Sequence, residues 1–438
     1  MEITAGHVWT IVAAALVFFM TPGLALFYGG MTRAKGVLNM MMMSFISIAF
    51  VSVVWVLWGY SMSGGDPLLG GLTGSPVPSF ALADIMGTED LLGAAYGGTF
   101  AIITVALISG AIADRARFGA WAVFVPVWAT LVYAPLAYMV WGGGLLSADG
   151  ALGSRFGEAI DFAGGTVVHI NAGLAALVLV YVIGSRADFG KSKGYHKPHN
   201  VPLVMLGAAI LWFGWFGFNA GAAGTAEQAG LIWINTLVAP SAAMLGWLLT
   251  ERIRDKHATS LGAASGAVAG LVAITPACAN VSPVWAIVIG FVAGICSALA
   301  VGLKYRLRMD DSLDVIGVHL VSGIVGTVAL GFVALPSEGT AGLFYGGGFG
   351  LLLTQVVAVL VSVLYCAVLT FVIAIAIDKT IGFRITERDE IDGIDITQHA
   401  ESGYALAGDA TGSFSPGRHA AGEDASSFEP GRSEPVHS

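Results

Sequence analysis

Long apolar stretches, separated by short loops that collect nearly all the charge, constrain this chain more than any other feature of its sequence. A hydrocarbon core about 30 Å thick takes roughly 20 apolar residues per helix. Eleven segments of that kind are legible, centred near Phe18, Val51, Ile103, Leu131, Ala175, Trp212, Thr236, Val268, Ile289, Val325 and Leu364. The charge-free run 258–303 is long enough for two helices, and Pro276 to Pro283 is the natural turn between them. Only 11% of the 438 residues are charged and 56% are hydrophobic. The expected fold class is therefore an all-α polytopic membrane protein of eleven transmembrane helices.

Sidedness follows from Lys and Arg in the loops, which favour the cytoplasmic side. With the N-terminus outside, nineteen of the twenty basic residues fall inside, including Arg33, Arg115, Arg186, Lys191, Lys193, Arg418 and Arg432, and only Arg155 falls outside. Outer loops then hold carboxylates such as Asp66, Glu89, Glu158, Asp161 and Glu338, a potential that favours arriving cations. Residues 8–30 lack a basic leader and exceed a signal-peptide core, so they are read as a true span. The net charge of −9 lies almost wholly in residues 387–438, where eleven acids and three arginines give −8. No basic patch points to nucleic acid, and no phosphate-binding glycine loop is present.

Two histidines sit in mid-span. An ionisable side chain there is costly and by default faces a cavity or a pathway. The fifth segment reads His169-Ile-Asn-Ala-Gly173-Leu174 and the tenth His319-Leu-Val-Ser-Gly323-Ile324, which share the pattern His-x-x-small-Gly-aliphatic. Five spans are an odd number, so the two halves would be inverted repeats of about 7–185 and 199–335, with transport sites at their interface. An eleventh helix of about 348–378 follows. Two neutral imidazoles could then bond each other and a small polar solute. A metal site is disfavoured, since no third mid-span His, Cys or carboxylate accompanies the pair, and no cofactor is indicated. Cys278, Cys296 and Cys366 are far apart in apolar stretches and read as packing residues.

Five motifs in order sharpen this reading: Trp141-Gly-Gly-Gly-Leu-Leu, Asp161-Phe-Ala-Gly-Gly-Thr-Val-Val-His169, Trp215-Phe-Gly-Phe-Asn-Ala-Gly221, Asp314-Val-Ile-Gly-Val-His319 and Gly393-Ile-Asp-Ile-Thr-Gln-His-Ala-Glu-Ser-Gly-Tyr404. Together they closely resemble the ammonium transporters of the Amt/MEP/Rh family. The resemblance implies an outer cation site at Phe100 and Trp141, with Tyr96 adding a ring edge. It implies a stacked gate of Phe100 and Phe218 beneath, and a pore lined by His169, His319 and Trp215. Asp161 would order the vestibule by capping its helix. Ala222 stands where many bacterial members carry a serine, and the segment from Trp141 to Asp161 is longer than expected. A homotrimer and a trimeric PII signalling protein docking at the cytoplasmic face are implied as well.

Residues 1–380 would thus form the membrane domain, 381–404 a cytoplasmic regulatory segment, and 405–438 a low-complexity acidic tail. That tail repeats Ser413-Phe-Ser-Pro-Gly-Arg418 as Ser427-Phe-Glu-Pro-Gly-Arg432. Besides an ammonium transporter in the plasma membrane, two alternatives stay open: an Rh-like channel for neutral ammonia or carbon dioxide, and an ammonium sensor signalling through the tail. Trp141, a cation-stabilising indole, argues against the first, and the shortness of the tail against the second.

Overall fold

In a computed structural model, residues 2–190, 197–337 and 340–404 are described. Lys191, Lys193, Glu338, Arg418, Arg432, the acidic tail from 405 and both copies of its repeated motif lie outside the described residues. The described chain is mainly helical, because backbone groups in hydrocarbon can find partners only within the segment itself. The helices are α1 (Ala5–Met31), α2 (Val37–Gly64), α3 (Asp90–Ile112), α4 (Phe118–Trp141), α5 (Gly165–Ile183), α6 (Val201–Ala220), α7 (Ala226–Arg254), α8 (Ser260–Ile274), α9 (Pro283–Leu307), α10 (Ile316–Val333) and α11 (Gly350–Thr380). Each of the eleven sequence centres falls inside one of them.

Ten of these are long and apolar enough to cross a membrane; α8, at 15 residues, is the short one. Local chemistry sets its bounds. The Thr259 side chain accepts from Gly262 N and caps its start. After Ile274 the chain turns until Pro283 opens α9, where a missing N–H costs nothing. The same threonine or asparagine capping begins α1 at Thr4, α6 at Asn200 and α7 at Thr225. A two-residue antiparallel hairpin, Pro67–Leu68 with Thr73–Gly74, lies beside the end of α4, where Leu145 N donates to Gly71 O.

α5 and α10 run in opposite directions and cross by glycine contact. A methyl on Gly173 would lie 2.5 Å from Leu320 N, and one on Gly323 would lie 2.9 Å from Ile170 Cγ1. Removing the β-carbon lets the two backbones approach until the residues one turn before each glycine meet. Those residues are the histidines.

Two short helices, α12 (Glu387–Asp392) and α13 (Ile394–His399), follow α11. They fasten onto the end of the bundle where α2 and α4 begin. Gly36, which precedes α2, offers no side chain to cap it. Asp395 of α13 does so across the chain, accepting from Leu38 N at 3.0 Å and Asn39 N at 2.7 Å. Gln398 Oε1 accepts from Phe118 N, the first residue of α4, and His399 Nε2 lies 3.0 Å from Asn39 Oδ1. Loss of a helix cap costs about 1 kcal/mol. Asp395→Ala should accordingly speed proteolysis between α11 and Tyr404 roughly fivefold, read by limited digestion in detergent. Unchanged cleavage would show that the cap does not hold the segment.

Candidate functional site

The end of the bundle where α1 begins carries a cluster of aromatic rings. α3 supplies Tyr96 and Phe100, one turn apart on one face. α6 supplies Phe218, and α4 ends on Trp141, where Gly142 to Gly144 stop the helix and Gly143 takes a φ of +87°. That ending leaves the indole 42% exposed while Phe100 is buried. Phe100 and Phe218 stack with centroids 4.1 Å apart and 19° between planes. Tyr96 meets Phe100 edge-on at 4.8 Å, and Trp141 meets it at 6.3 Å and 87°. Ring faces of this kind attract a cation, by about 2 kcal/mol once water is excluded.

Beneath Phe218 the rings continue. His169 lies 5.9 Å from Phe218 and stacks with Trp215 at 5.4 Å. His169 and His319 are 5.4 Å apart and 20° from parallel, and their Nδ1 atoms are 3.2 Å from each other. One Nδ1 therefore donates and the other accepts, and His169 Nε2 has no partner. The indole of Trp215 is fixed by donating to Thr275 Oγ1 at 2.9 Å, and Thr275 donates its one proton onward to Leu271 O at 2.8 Å, with Asn219 Oδ1 3.3 Å away.

The histidines open onto a void of about 10 Å³ lined by Leu24, Ile103, Leu107, Leu211, Trp215 and Val268 among others. That is room for one water-sized molecule. The imidazoles are the titratable groups that line it. Among the described residues no group of three His, Cys, Asp or Glu could hold a metal ion.

Asp161 sits at the mouth of α5. Residues 161–164 lie outside the helix, and Gly164 turns the chain at a φ of +106°. The carboxylate thus reaches back over the helix start. It accepts from Gly164 N at 3.1 Å, Thr166 N at 2.9 Å and Val167 N at 3.1 Å, and also from Gly165 N and the Thr166 hydroxyl. Burial raises its carboxyl above the ordinary value, while Thr166, Val167 and Gly165 pull it back. Its backbone carbonyl takes the Trp141 indole N–H at 2.8 Å, so the same residue orients α5 and the exposed ring.

Ala222 is exposed just past the end of α6. The long Trp141–Asp161 segment contains the short helix Gly153–Phe156, with the Arg155 guanidinium 5.4 Å over the Phe156 ring. Cys278, Cys296 and Cys366 are all free thiols.

Sequence reasoning missed three features. His169 and His319 both lie in single π-helical turns, Gly165–Ile170 and Ile316–Val321, a distortion found at functional sites. Asp311 caps α10 as Asp161 caps α5, accepting from Val315 N and Ile316 N. Burial, with Asp314 nearby, pushes its carboxyl up to about 6. The signal was present, since each aspartate stands eight residues before its histidine. The third feature is a buried ionic lock at the tail end of the bundle. Arg186 Nη2 and Nε bond Asp310 at 2.7 and 2.8 Å, and Arg186 Nη1 reaches Asp114 at 3.3 Å. Arg115 donates to Asp310 O, Ser312 Oγ and Gly184 O. Burial lowers the Arg115 guanidinium to about 10. It would lower Arg186 too, but the hydrogen bonds and charge of Asp310 outweigh it.

A polytopic helical bundle with an aromatic cluster that reaches the surface at Trp141, above a narrow, histidine-lined void, defines a membrane transport protein. The chain is 49% identical over 442 residues to an ammonium transporter of Mycobacterium tuberculosis, covering 94% of this chain and 92% of that one. It is 46% identical to one of Aquifex aeolicus, covering 92% and 94%. Among solved structures, a sensor Amt protein superposes with a TM-score of 0.83 at 29% identity, covering 90% and 98% of the two chains. Candida albicans Mep2 gives 0.80 at 33%, covering 88% and 87%. The model of the Ammonium Transporter Family matches residues 8–404. The chain belongs to that family, and it is an ammonium transporter.

Proposed function

We propose that ammonium is recruited at Trp141, Phe100 and Tyr96, gives up its proton to water at the Phe100–Phe218 stack, and crosses as ammonia past His169 and His319, with the proton crossing separately so that the net transfer carries charge. One observation carries this reading: the ring series runs without interruption from an exposed indole to a void that fits one small molecule and whose lining carries polar side-chain atoms only on the two imidazoles and Trp215. Moving a bare cation into such a void costs several kcal/mol. Ammonia pays no such penalty and can exchange a hydrogen bond with either imidazole.

The α1 end is the outer face in this reading, and the end holding Arg33, Arg115, Arg186 and Arg384 is cytoplasmic, as the basic loops favour. All eleven helices span, α8 included, with residues up to 380 forming the membrane domain of a plasma-membrane protein. Three copies assemble, each with its own conduit. The segment 381–404 is regulatory, and a PII-type protein docks beside it on the cytoplasmic face.

The test is charge movement in proteoliposomes on a supported membrane under an ammonium gradient. Wild type should respond to ammonium and not to potassium. His169→Ala should widen the void, admit hydrated ions and cut the discrimination against potassium at least tenfold, about 1.4 kcal/mol. Trp141→Leu should raise the half-saturating ammonium concentration about tenfold, since it removes the indole face. Uptake without current in wild type would favour neutral gas conduction instead. A His169→Ala protein with unchanged selectivity would contradict the role given to the imidazoles.

A further inference from the structure

We infer that the Tyr96 hydroxyl oxygen is the hydrogen-bond acceptor of the outer site, supplying the side-chain oxygen that Ala222 lacks. This rests on the recruitment site proposed above. Ammonium carries four N–H donors, and on leaving water each needs an acceptor as well as a negative potential. Ring faces give potential only. In the cluster, Trp141 Nε1 is a donor already committed to Asp161 O, and Phe100 and Phe218 bear no polar side-chain atom. Tyr96 alone among the four rings carries an oxygen, and its side chain is partly exposed.

The geometry leaves that oxygen free to accept. Its hydrogen is directed to Phe218 O at 2.8 Å, with Gly217 O at 3.2 Å. A phenol has one proton and two lone pairs, so donating once leaves acceptor capacity, and donation polarises the oxygen toward accepting more strongly. Both carbonyls belong to the last turn of α6, whose C-terminal end carries the negative pole of the helix and favours a nearby cation. The ring lies flush against the residue that follows: a methyl on Gly221 would sit 2.6 Å from Tyr96 Cε2 and Cζ. The Tyr96 ring thus packs against the residue next to the exposed Ala222, where the loop leaves α6. Packing against Gly221 and the hydrogen bond to Phe218 O hold the ring, so the acceptor is set before the ion arrives.

The experiment uses the full chain in proteoliposomes, with current amplitude followed against ammonium concentration. Tyr96→Phe removes one oxygen and keeps the ring. It should raise the half-saturating concentration about tenfold or more, as for loss of one hydrogen bond to a charged group, with maximal current within about twofold of wild type. Ala222→Ser added to Tyr96→Phe should restore the half-saturating concentration to within about twofold, because a serine there returns an oxygen without rebuilding the Phe218 bond. Rescue therefore separates an acceptor from a merely structural anchor. An unshifted Tyr96→Phe, or a shift that Ala222→Ser fails to repair, overturns the inference. Trp141→Leu run alongside keeps the two readings apart: if it shifts half-saturation while Tyr96→Phe does not, only the acceptor role falls, and if neither shifts, the recruitment site itself falls.

Discussion

Asp161→Ala should yield a protein that barely survives extraction and moves no measurable ammonium. Four backbone N–H groups and the Thr166 hydroxyl converge on this one carboxylate, and Asp161 is 5% exposed. A buried donor left without a partner costs about 1–3 kcal/mol. Water can re-satisfy some of the five, so a net loss of about 5 kcal/mol is expected, comparable to the whole stability of many folds. Transport should suffer in any folded remainder as well, because the π-helical turn bearing His169 starts four residues later and the Trp141 indole rests on the Asp161 carbonyl. Asp161→Asn keeps one acceptor oxygen but turns an amide toward donors, and it should fall between the two. Melting in detergent followed by tryptophan fluorescence reads the effect. An Asp161→Ala protein melting with wild type would show that the cap is dispensable.

Asp310→Ala should be nearly as damaging at the opposite end. Arg115 has 0% of its side chain exposed and Arg186 has 7%, and both lean on Asp310. Removing one member of a buried ionic group strands the others, at about 3–5 kcal/mol. Burial would raise the Asp310 carboxyl, yet Arg186 and Arg115 overcome it and hold the group below its ordinary value of 3.8. A depressed carboxylate stabilises at every pH above its unfolded value and loses that contribution only as pH falls through the folded one. The deficit of Asp310→Ala relative to wild type should therefore be constant between pH 5 and 8. A deficit that vanished at pH 5 would place the stabilisation in some other group.

Much of this could be read from the chain before its fold was known, for identifiable reasons. Helices in hydrocarbon must be long and apolar, so the segments announced themselves, and Pro276 and Pro283 marked the turn inside the uninterrupted run. His169 and His319 stood out because their neighbours are apolar. The motifs bearing Trp141, Asp161, Phe218 and His319 named the rings that the structure brings together. Other parts were hidden by the physics of packing. Met20, Leu24 and Phe27 line the void at helical spacing, as do Ile103 with Leu107 and Leu211 with Trp215 and Phe218, but buried helix faces show that spacing everywhere. The π-helical turns at the histidines, like those at Trp55–Gly59 and Ala129–Tyr133, follow no residue pattern. No residue type encodes them. Asp395 looked like one acid among eleven in an acidic terminus, and only the fold shows that it caps α2 from the other end of the sequence.

The matched construction of α5 and α10 carries a consequence for directionality. Each has an aspartate eight residues ahead of its histidine, a π-helical turn at the histidine and a glycine four residues on, and the two run head to tail. In the proposed conduit the two imidazoles are thus presented in closely similar frames from either side, with Trp215 and Phe218 beside His169 as the main difference. Under the proposed mechanism, a midpoint so nearly matched contributes little directionality. The proposal then assigns any preference for inward flow chiefly to the unlike ends, an exposed indole at one and an arginine–aspartate lock at the other, and to the gradient that drives the flow.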